Sequence, residues 1–161
     1  MLCLLVSCKD TDNSGGSDNQ KNKDRIKVIY TALETGDMSK LDSIIDKDVI
    51  DHQNNDAKSI DTMKKFFSEL HNNVTGLKIE QIANATDGDY NLDFNHTSGD
   101  VTAPVMGMSA GAKLDFLGVD ICKIKDGKIT EHWGFIDPAA MMKMMSAPPK
   151  MEEKKDTSKK M

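Results

Sequence analysis

Residues 126–137 read DGKITEHWGFID, and this stretch decides the fold. Asp126 and Gly127 predict a tight hairpin turn, because the central positions of such a turn favour residues that tolerate positive φ. The turn leads into a strand on which Glu131 and His132 precede Trp133, the only tryptophan of the chain. An ionisable pair beside a large aromatic side chain on a strand indicates a pocket built on a sheet.

The strands around this segment are predicted from their turns and their alternation. Residues 113–125 form a long strand that the turn at Asp126 reverses into residues 128–136. An earlier hairpin turns at residues 86–89, after an apolar segment that contains Leu77, Ile79 and Ile82. Its second strand alternates between an apolar set that includes His96 and a polar set. We expect the apolar set to face the interior: Tyr90, Leu92, Phe94 and His96. Residues 98–111 are the least determined segment, where a lid or a strand crossover is expected.

The first half of the chain has helical periodicity. Helices are predicted over residues 24–35 and 38–45, and residues 46–58 form a linker. A third helix opens at Ser59 or Asp61 and carries an apolar face: Ile60, Met63, Phe66, Phe67 and Leu70. Three helices followed by at least four strands give an α+β domain, with the helices on one side of an antiparallel sheet.

The composition limits the class of protein. A chain of 161 residues with 38% apolar residues supports one domain with one core. The net charge of −5 and the lack of a basic stripe exclude a nucleic-acid partner. Cys122 has no disulfide partner in the predicted domain and is interpreted as a small core residue. The histidines match no metal-binding spacing, so we expect no metal and no cofactor.

The N-terminal residues MLCLLVSC resemble a bacterial lipobox, with diacylglycerol expected on Cys8. Residues 1–8 are too short to span a bilayer and lack a basic region, so we expect a longer signal peptide upstream. Residues 9–23 are polar throughout and predict a flexible tether. The protein would then be lipid-anchored in the bacterial cell envelope. The alternative is a frayed N-terminus with a chance cysteine. The Lys/Glu-rich residues 147–161 are expected to be disordered.

The order of the predicted elements resembles the SnoaL-like branch of the nuclear-transport-factor-2-like superfamily. It consists of a helix, a short helix, a linker that contains a histidine, a helix with paired phenylalanines, and hairpins that end in DGKITEHW. The resemblance covers the domain expected over residues 24–146. It implies a cone-shaped α+β fold, in which a curved antiparallel sheet and three N-terminal helices enclose a deep, mostly apolar cavity. Members include polyketide cyclases and binding proteins without chemistry, commonly as homodimers.

The resemblance also implies site residues. Asp120 and His132 are the candidate catalytic pair, and the candidate ligand-binding residues are His52, Phe66, His96, Phe116 and Trp133. Cyclase-like members usually carry an Asp directly after the tryptophan as the general acid/base. This chain has Gly134 at that position.

The register of the last hairpin stays open. A two-residue turn at Asp126 and Gly127 pairs Asp120 with Trp133, whereas one additional bulge residue pairs Asp120 with Gly134. Only the bulged register brings His132 to the same face as Asp120. A carboxylate and an imidazole that share a cavity wall can move protons near neutral pH.

Three functions are consistent with these residues. We prefer a lipid-anchored domain that binds a small apolar or amphipathic molecule in its cavity, because Gly134 replaces the usual carboxylate. The alternative is an acid/base enzyme of the cyclase, isomerase or dehydratase type that uses Asp120 or His132. A purely structural envelope lipoprotein is the third possibility, and it predicts a cavity filled by side chains.

Overall fold

The computed structural model describes residues 14–146, and their side chains from residue 19 onward. The helices are α1 (Ser14–Thr35), α2 (Leu41–Ile44), α3 (Ile60–Asn73) and α4 (Pro138–Met145). The strands are β1 (Ile45–Asp51), β2 (Ala57–Lys58), β3 (Val74–Asp87), β4 (Tyr90–Val101), β5 (Lys113–Lys125) and β6 (Lys128–Ile136). A 3₁₀ turn, His52–Asn54, follows β1. The predicted α+β class is confirmed.

The six strands form one curved sheet in the order β2-β1-β6-β5-β4-β3. Neighbouring strands are antiparallel except β1 and β6, which run parallel. The prediction missed β1 and β2, which occupy most of the expected linker. Only three residues of β1 are buried, and charged residues between them obscure the alternation: Ile45, Val49 and Asp51. Among the described residues, no helix is long and apolar enough to cross a bilayer.

The start of helix α1 differs from the prediction. Helix α1 begins at Ser14, so residues 14–23 are helical and are not the tether expected over residues 9–23. Asn22 is only 7% exposed, and its Nδ2 donates to Thr86 Oγ1 at 3.3 Å. The tertiary contact with β3 thus stabilises a polar segment whose own sequence has no apolar period. The expected lipobox at residues 1–8, residues 9–13 of the expected tether and the expected disordered tail at residues 147–161 lie outside the described residues.

The core lies between the helices and the inner face of the sheet. Helix α1 contributes Ile26 and Leu33, and α3 contributes Met63, Phe67 and Leu70, all buried. This burial confirms the predicted apolar face of the third helix. Ser59 caps α3, since its Oγ accepts the backbone N–H of Thr62. Helix α4 follows Asp137, whose carboxylate accepts the Ala139 N–H at 3.0 Å.

Strand β4 faces the opposite way from the prediction. Apart from Val101 at its end, its buried residues are the polar set, Asn91, Asp93, Asn95 and Thr97, whereas Tyr90 and Leu92 are exposed. The inward polar groups satisfy one another: Asn84 Nδ2, for example, donates to Asn91 Oδ1 at 3.0 Å and to Asp93 Oδ1 at 2.8 Å. The expectation that the apolar side of this hairpin faces the interior is wrong, because a hydrogen-bonded polar layer occupies the inner face.

The hairpin of β5 and β6 has the bulged register. Asp126 and Gly127 both have positive φ, 48° and 77°, which is the backbone of a type I′ turn. Asp120 pairs with Gly134, and the register shifts by one residue at Thr130. The inner face of this hairpin therefore carries both Asp120 and His132, together with Cys122, which is buried as expected for a core residue.

Candidate functional site

A cavity of about 110 Å³ lies between α1, α3 and the inner face of β4, β5 and β6. Most of its wall is apolar, with side chains from both helices and from the sheet: Ile26, Ile29, Leu33, Met63, Phe66, Phe67, Leu70, Met106, Phe116 and Ile136. A small polar set completes the wall: Tyr30, Gln53, Asn95, Asp120 and His132. An apolar cavity with a few convergent polar groups is the usual form of a small-molecule site.

His132 lies between two carboxylates. Its Nδ1 is 3.0 Å from Asp51 Oδ1, and its Nε2 is 3.2 Å from Asp120 Oδ1. The parallel pairing of β1 with β6 sets Asp51 beside His132, while the bulged antiparallel pairing sets Asp120 on the same face. Both carboxylates accept, so both ring nitrogens donate and His132 is an imidazolium.

The pKa of His132 reflects two opposing effects. Burial of the ring lowers the pKa, but the hydrogen bonds and charges of Asp120 and Asp51 outweigh burial and raise it from 6.5 to about 9. At neutral pH the ring therefore carries a positive charge that offsets the charge of the buried Asp51, whose side chain is 6% exposed.

Asp120 accepts two hydrogen bonds. Besides His132 on Oδ1, its Oδ2 accepts from Asn95 Nδ2 at 2.8 Å, and the Tyr30 hydroxyl oxygen lies 3.3 Å from the same Oδ2. The side chain retains 29% exposure, and Asp120 lines the cavity. Asp120 is therefore the carboxylate of this cluster that is fixed in orientation and still accessible from the cavity.

Tyr30 connects the cavity wall to the buried polar layer. Its hydroxyl donates its proton to Asp93, the nearer carboxylate, which is 0% exposed and also accepts from Gln81 and Asn84. Burial raises the pKa of Tyr30 above its ordinary value, and the charges of Asp120 and Asp93 raise it further, so the phenol keeps its proton. Tyr30 extends from α1, and its hydroxyl ties that helix to β4 and β5.

The sequence analysis missed Asp51, Tyr30, Asn95 and Asp93 as members of this site. Tyr30 falls within the helix predicted over residues 24–35, whose periodicity indicates no polar role for it, and Asn95 and Asp93 belong to the polar set of β4, which was expected to face solvent. The available signal was the run of polar residues at alternate positions of β4, which matches a polar inner face as well as a polar outer one. Asp51 is found only through the parallel pairing of β1 with β6.

The predicted site residues divide between the two faces of the sheet. Phe66, Phe116, Asp120 and His132 line the cavity. His52, His96 and Trp133 lie on the outer side, so the expectation that they face the cavity is wrong. His96 Nε2 pairs with Asp115 at 2.8 Å on the outer face, and the inversion of β4 explains its position.

His52 and Trp133 form an outer cluster beside the site. Their rings stack with centroids 4.5 Å apart, and His52 Nε2 lies 3.1 Å from Glu131 Oε2. Glu131 also accepts from Lys123 Nζ at 2.7 Å. The hydrogen bond to Glu131 raises the pKa of His52. Since side chains alternate along a strand, the outer His52–Glu131 pair lies directly behind the inner Asp51–His132 pair.

Gln53 occupies the space next to Gly134. A Cβ atom at Gly134 would lie 2.4 Å from Cδ of the Gln53 side chain, a distance that real contacts do not allow. Gln53 also lines the cavity, and its backbone N–H donates to Asp51 Oδ1 at 3.2 Å. The glycine that replaces the expected carboxylate thus accommodates an amide from the 3₁₀ turn, and the same turn holds Asp51 against His132.

The fold and this cavity are typical of one class of protein, and a comparison with protein families identifies that class. A model of the SnoaL-like polyketide cyclase family matches residues 23–145, and the chain belongs to this family. A search of curated proteins gives no match.

Solved structures of SnoaL-like and related proteins have the same fold. TsrD from Streptomyces laurentii superposes with a TM-score of 0.73 at 20% identity, over 81% of this chain and 98% of that one. A protein from Jannaschia, described as a putative SnoaL-like polyketide cyclase, gives a TM-score of 0.68 at 20% identity, over 81% of this chain and 95% of that one. IdmH from Streptomyces antibioticus, described as a putative polyketide cyclase, gives 0.63 at 19% identity, over 78% and 98%.

Proposed function

We propose that the protein is an acid/base enzyme that binds a small, mostly apolar molecule in the cavity and moves a proton with Asp120. The supporting observation is the carboxylate of Asp120, accessible from an apolar cavity and held by His132, Asn95 and Tyr30. A carboxylate fixed in this way is oriented before the substrate enters, so little reorganisation is needed in the transition state. A carboxylate of this kind supports cyclase or isomerase chemistry at a carbon atom. We assign no cofactor or metal to the site.

The two candidate catalytic residues have different roles in this proposal. Both nitrogens of His132 are engaged by carboxylates, so its ring has no N–H free for a substrate. Asp120 takes a proton from a carbon next to a carbonyl group, and the C–H electron pair moves into the enolate. The same carboxyl group returns the proton to the product. His132, with Asp51 behind it, is a positioning residue that fixes the orientation of the Asp120 carboxylate.

Deuterium exchange tests this proposal without knowledge of the natural substrate. We expect the protein to accelerate exchange of the acidic C–H protons of a small apolar ketone, 2-indanone, in D₂O. Asp120→Asn should slow the catalysed exchange by about 10²- to 10⁴-fold, the usual contribution of a positioned base. NMR of the ketone gives both rates. The matched control is Asp115→Asn on the outer face, which should exchange at the wild-type rate. An Asp120→Asn variant as fast as the wild type refutes the assignment.

Gly134 favours a second candidate, a binding protein without chemistry. The position after Trp133 has no carboxylate, and the neutral Gln53 amide fills the adjacent space. In that case the ketone should raise the melting temperature of the wild type without any exchange above the solvent rate. The third possibility, a filled structural cavity, does not match the open space between the helices and the sheet.

We also propose that the protein is a homodimer formed through the outer face of the sheet. This face exposes large apolar side chains, among them Leu92 at 39%, Leu117 at 48% and Phe135 at 56%. Phe94 and Val119 lie between them, since they are cross-strand partners on the same face. A contiguous exposed apolar patch of this kind is typical of a protein interface.

Substitution of the patch tests the dimer. Phe135→Arg or Leu92→Arg should convert the dimer to a monomer in analytical ultracentrifugation, because a buried guanidinium without a partner opposes association. Thr31→Arg, exposed on α1 away from the sheet, should remain dimeric. A wild-type chain that is monomeric at tens of micromolar contradicts the proposal.

Lipid anchoring on Cys8 in the bacterial cell envelope remains a proposal, and Cys8 lies outside the described residues. It is supported by the resemblance of residues 1–8 to a lipobox. We expect the protein, expressed in a bacterium with its signal peptide, to incorporate labelled palmitate and to sediment with membranes. Cys8→Ser should do neither, whereas Cys3→Ser should do both. Labelling that survives the Cys8 substitution excludes this anchor.

A further inference from the structure

The charges around the cavity are strongly unbalanced. Three carboxylates, Asp51, Asp93 and Asp120, lie on the inner face of the sheet, and His132 is the cationic group among them. Within the part of the chain that the structure describes, neither lysine nor arginine lines the cavity. Asp120 and His132 lie on the cavity wall itself, and Asp51 and Asp93 are buried behind it, so the wall together with the layer behind it carries a net negative charge even when His132 is protonated.

The surroundings strengthen this charge. Asp93 is fully buried, Asp51 is nearly so, and most of the remaining wall is aliphatic or aromatic. Charges interact more strongly in such a medium than in water, and an entering anion also loses its hydration. A carboxylate ligand would meet repulsion from Asp120, and among the described residues no basic side chain on the cavity wall is free to bind it, since both nitrogens of His132 are already engaged.

Asp120 has room for at least one more donor. An ionised carboxylate offers about four acceptor positions; two accept from His132 and Asn95, and the Tyr30 oxygen lies near a third. The carboxylate still borders the cavity. A ligand can therefore donate one hydrogen bond to Asp120, whereas a ligand that only accepts meets an acceptor in the same position.

We propose that the cavity selects small apolar molecules that are uncharged or cationic and that present a hydrogen-bond donor or an acidic C–H group to Asp120, and that it excludes carboxylates. This inference rests on the proposed function, because it concerns the same cavity. It goes further because it specifies the charge of the ligand. It also names Asp120 as the residue that distinguishes uncharged or cationic ligands from carboxylates.

Benzamide and benzoate form a matched pair for the test. They have nearly the same shape, but benzamide is neutral and has N–H donors, while benzoate is an anion without a donor at pH 7. We expect benzamide to bind the full chain at least tenfold more tightly than benzoate, as measured by NMR titration. Toluene, which has no donor, should bind more weakly than benzamide. Asp120→Asn should reduce the benzamide preference at least threefold, and Asp115→Asn should leave it unchanged.

The outcomes separate the two proposals. Benzoate binding as tight as benzamide binding overturns the charge selection alone, as does an Asp120→Asn variant with the wild-type preference. If none of the three compounds binds, the cavity is not a small-molecule site, and the proposed function is overturned together with this inference.

Discussion

Replacement of His132 by alanine should lower the free energy of unfolding by about 3–5 kcal/mol, the cost of removing one partner from a buried ionic cluster. The imidazolium separates Asp51 from Asp120 and donates to both, at 3.0 and 3.2 Å. Without the ring, two carboxylates face each other across an apolar gap, and the nearly buried Asp51 has no counter-charge. Urea denaturation at pH 7 measures the loss.

Two further variants distinguish this cause from a general effect of losing a histidine. His96→Ala removes a histidine that pairs with Asp115 at the surface, and it should cost less than about 1 kcal/mol. Adding Asp120→Asn to His132→Ala should recover part of the lost stability, because it removes one of the repelling charges. Equal losses in the two histidine variants, or no recovery in the double variant, contradict the charge explanation.

Stability should fall as the pH rises from about 6.5 to about 9. The pKa of His132 is raised from 6.5 in the unfolded chain to about 9 in the folded protein. A raised pKa means that the folded state binds the proton more tightly, so this stabilisation is complete below pH 6.5 and is lost as the pH passes 9. The change is on the order of 3 kcal/mol.

The comparison variant for this pH dependence is His132→Gln. Its free energy of unfolding should vary less between pH 6.5 and 9 than that of the wild type, while His96→Gln should follow the wild-type curve. Chemical denaturation at several pH values gives these curves. NMR titration of the ring resonances provides an independent value for the pKa, and a His132 that titrates near 6.5 in the folded protein would refute the ionic cluster.

The site depends on several strand pairings at once, which explains why only part of it was predictable. Asp120 and His132 were expected from the hairpin, and the bulge at Thr130 determines that they share a face. Asp51 reaches them through a parallel pairing between segments about eighty positions apart in the chain. No local pattern carries that information, since a strand contains no signal for its partner beyond its own alternation.

The face of β4 shows the same limit in another form. The alternation of apolar and polar residues predicted a strand and its period correctly. It does not determine which set is buried, because either set satisfies the period of two. Here the polar set is buried by hydrogen bonding with Tyr30, Gln81 and Asn84, and the apolar set is left on the outer face. His96, a member of the apolar set of β4, was expected in the cavity for this reason and lies on the outer face.

The sequence by itself determined the α+β class, the main helices, the four long strands and the family resemblance, because these follow from local periodicity and from the segment DGKITEHWGFID. Only the tertiary structure decided the register of the last hairpin, the inversion of β4, the placement of Gln53 beside Gly134 and the position of His132 between Asp51 and Asp120. These features are set by contacts between distant segments, in which the cost of burying each polar group is offset by a partner elsewhere in the chain.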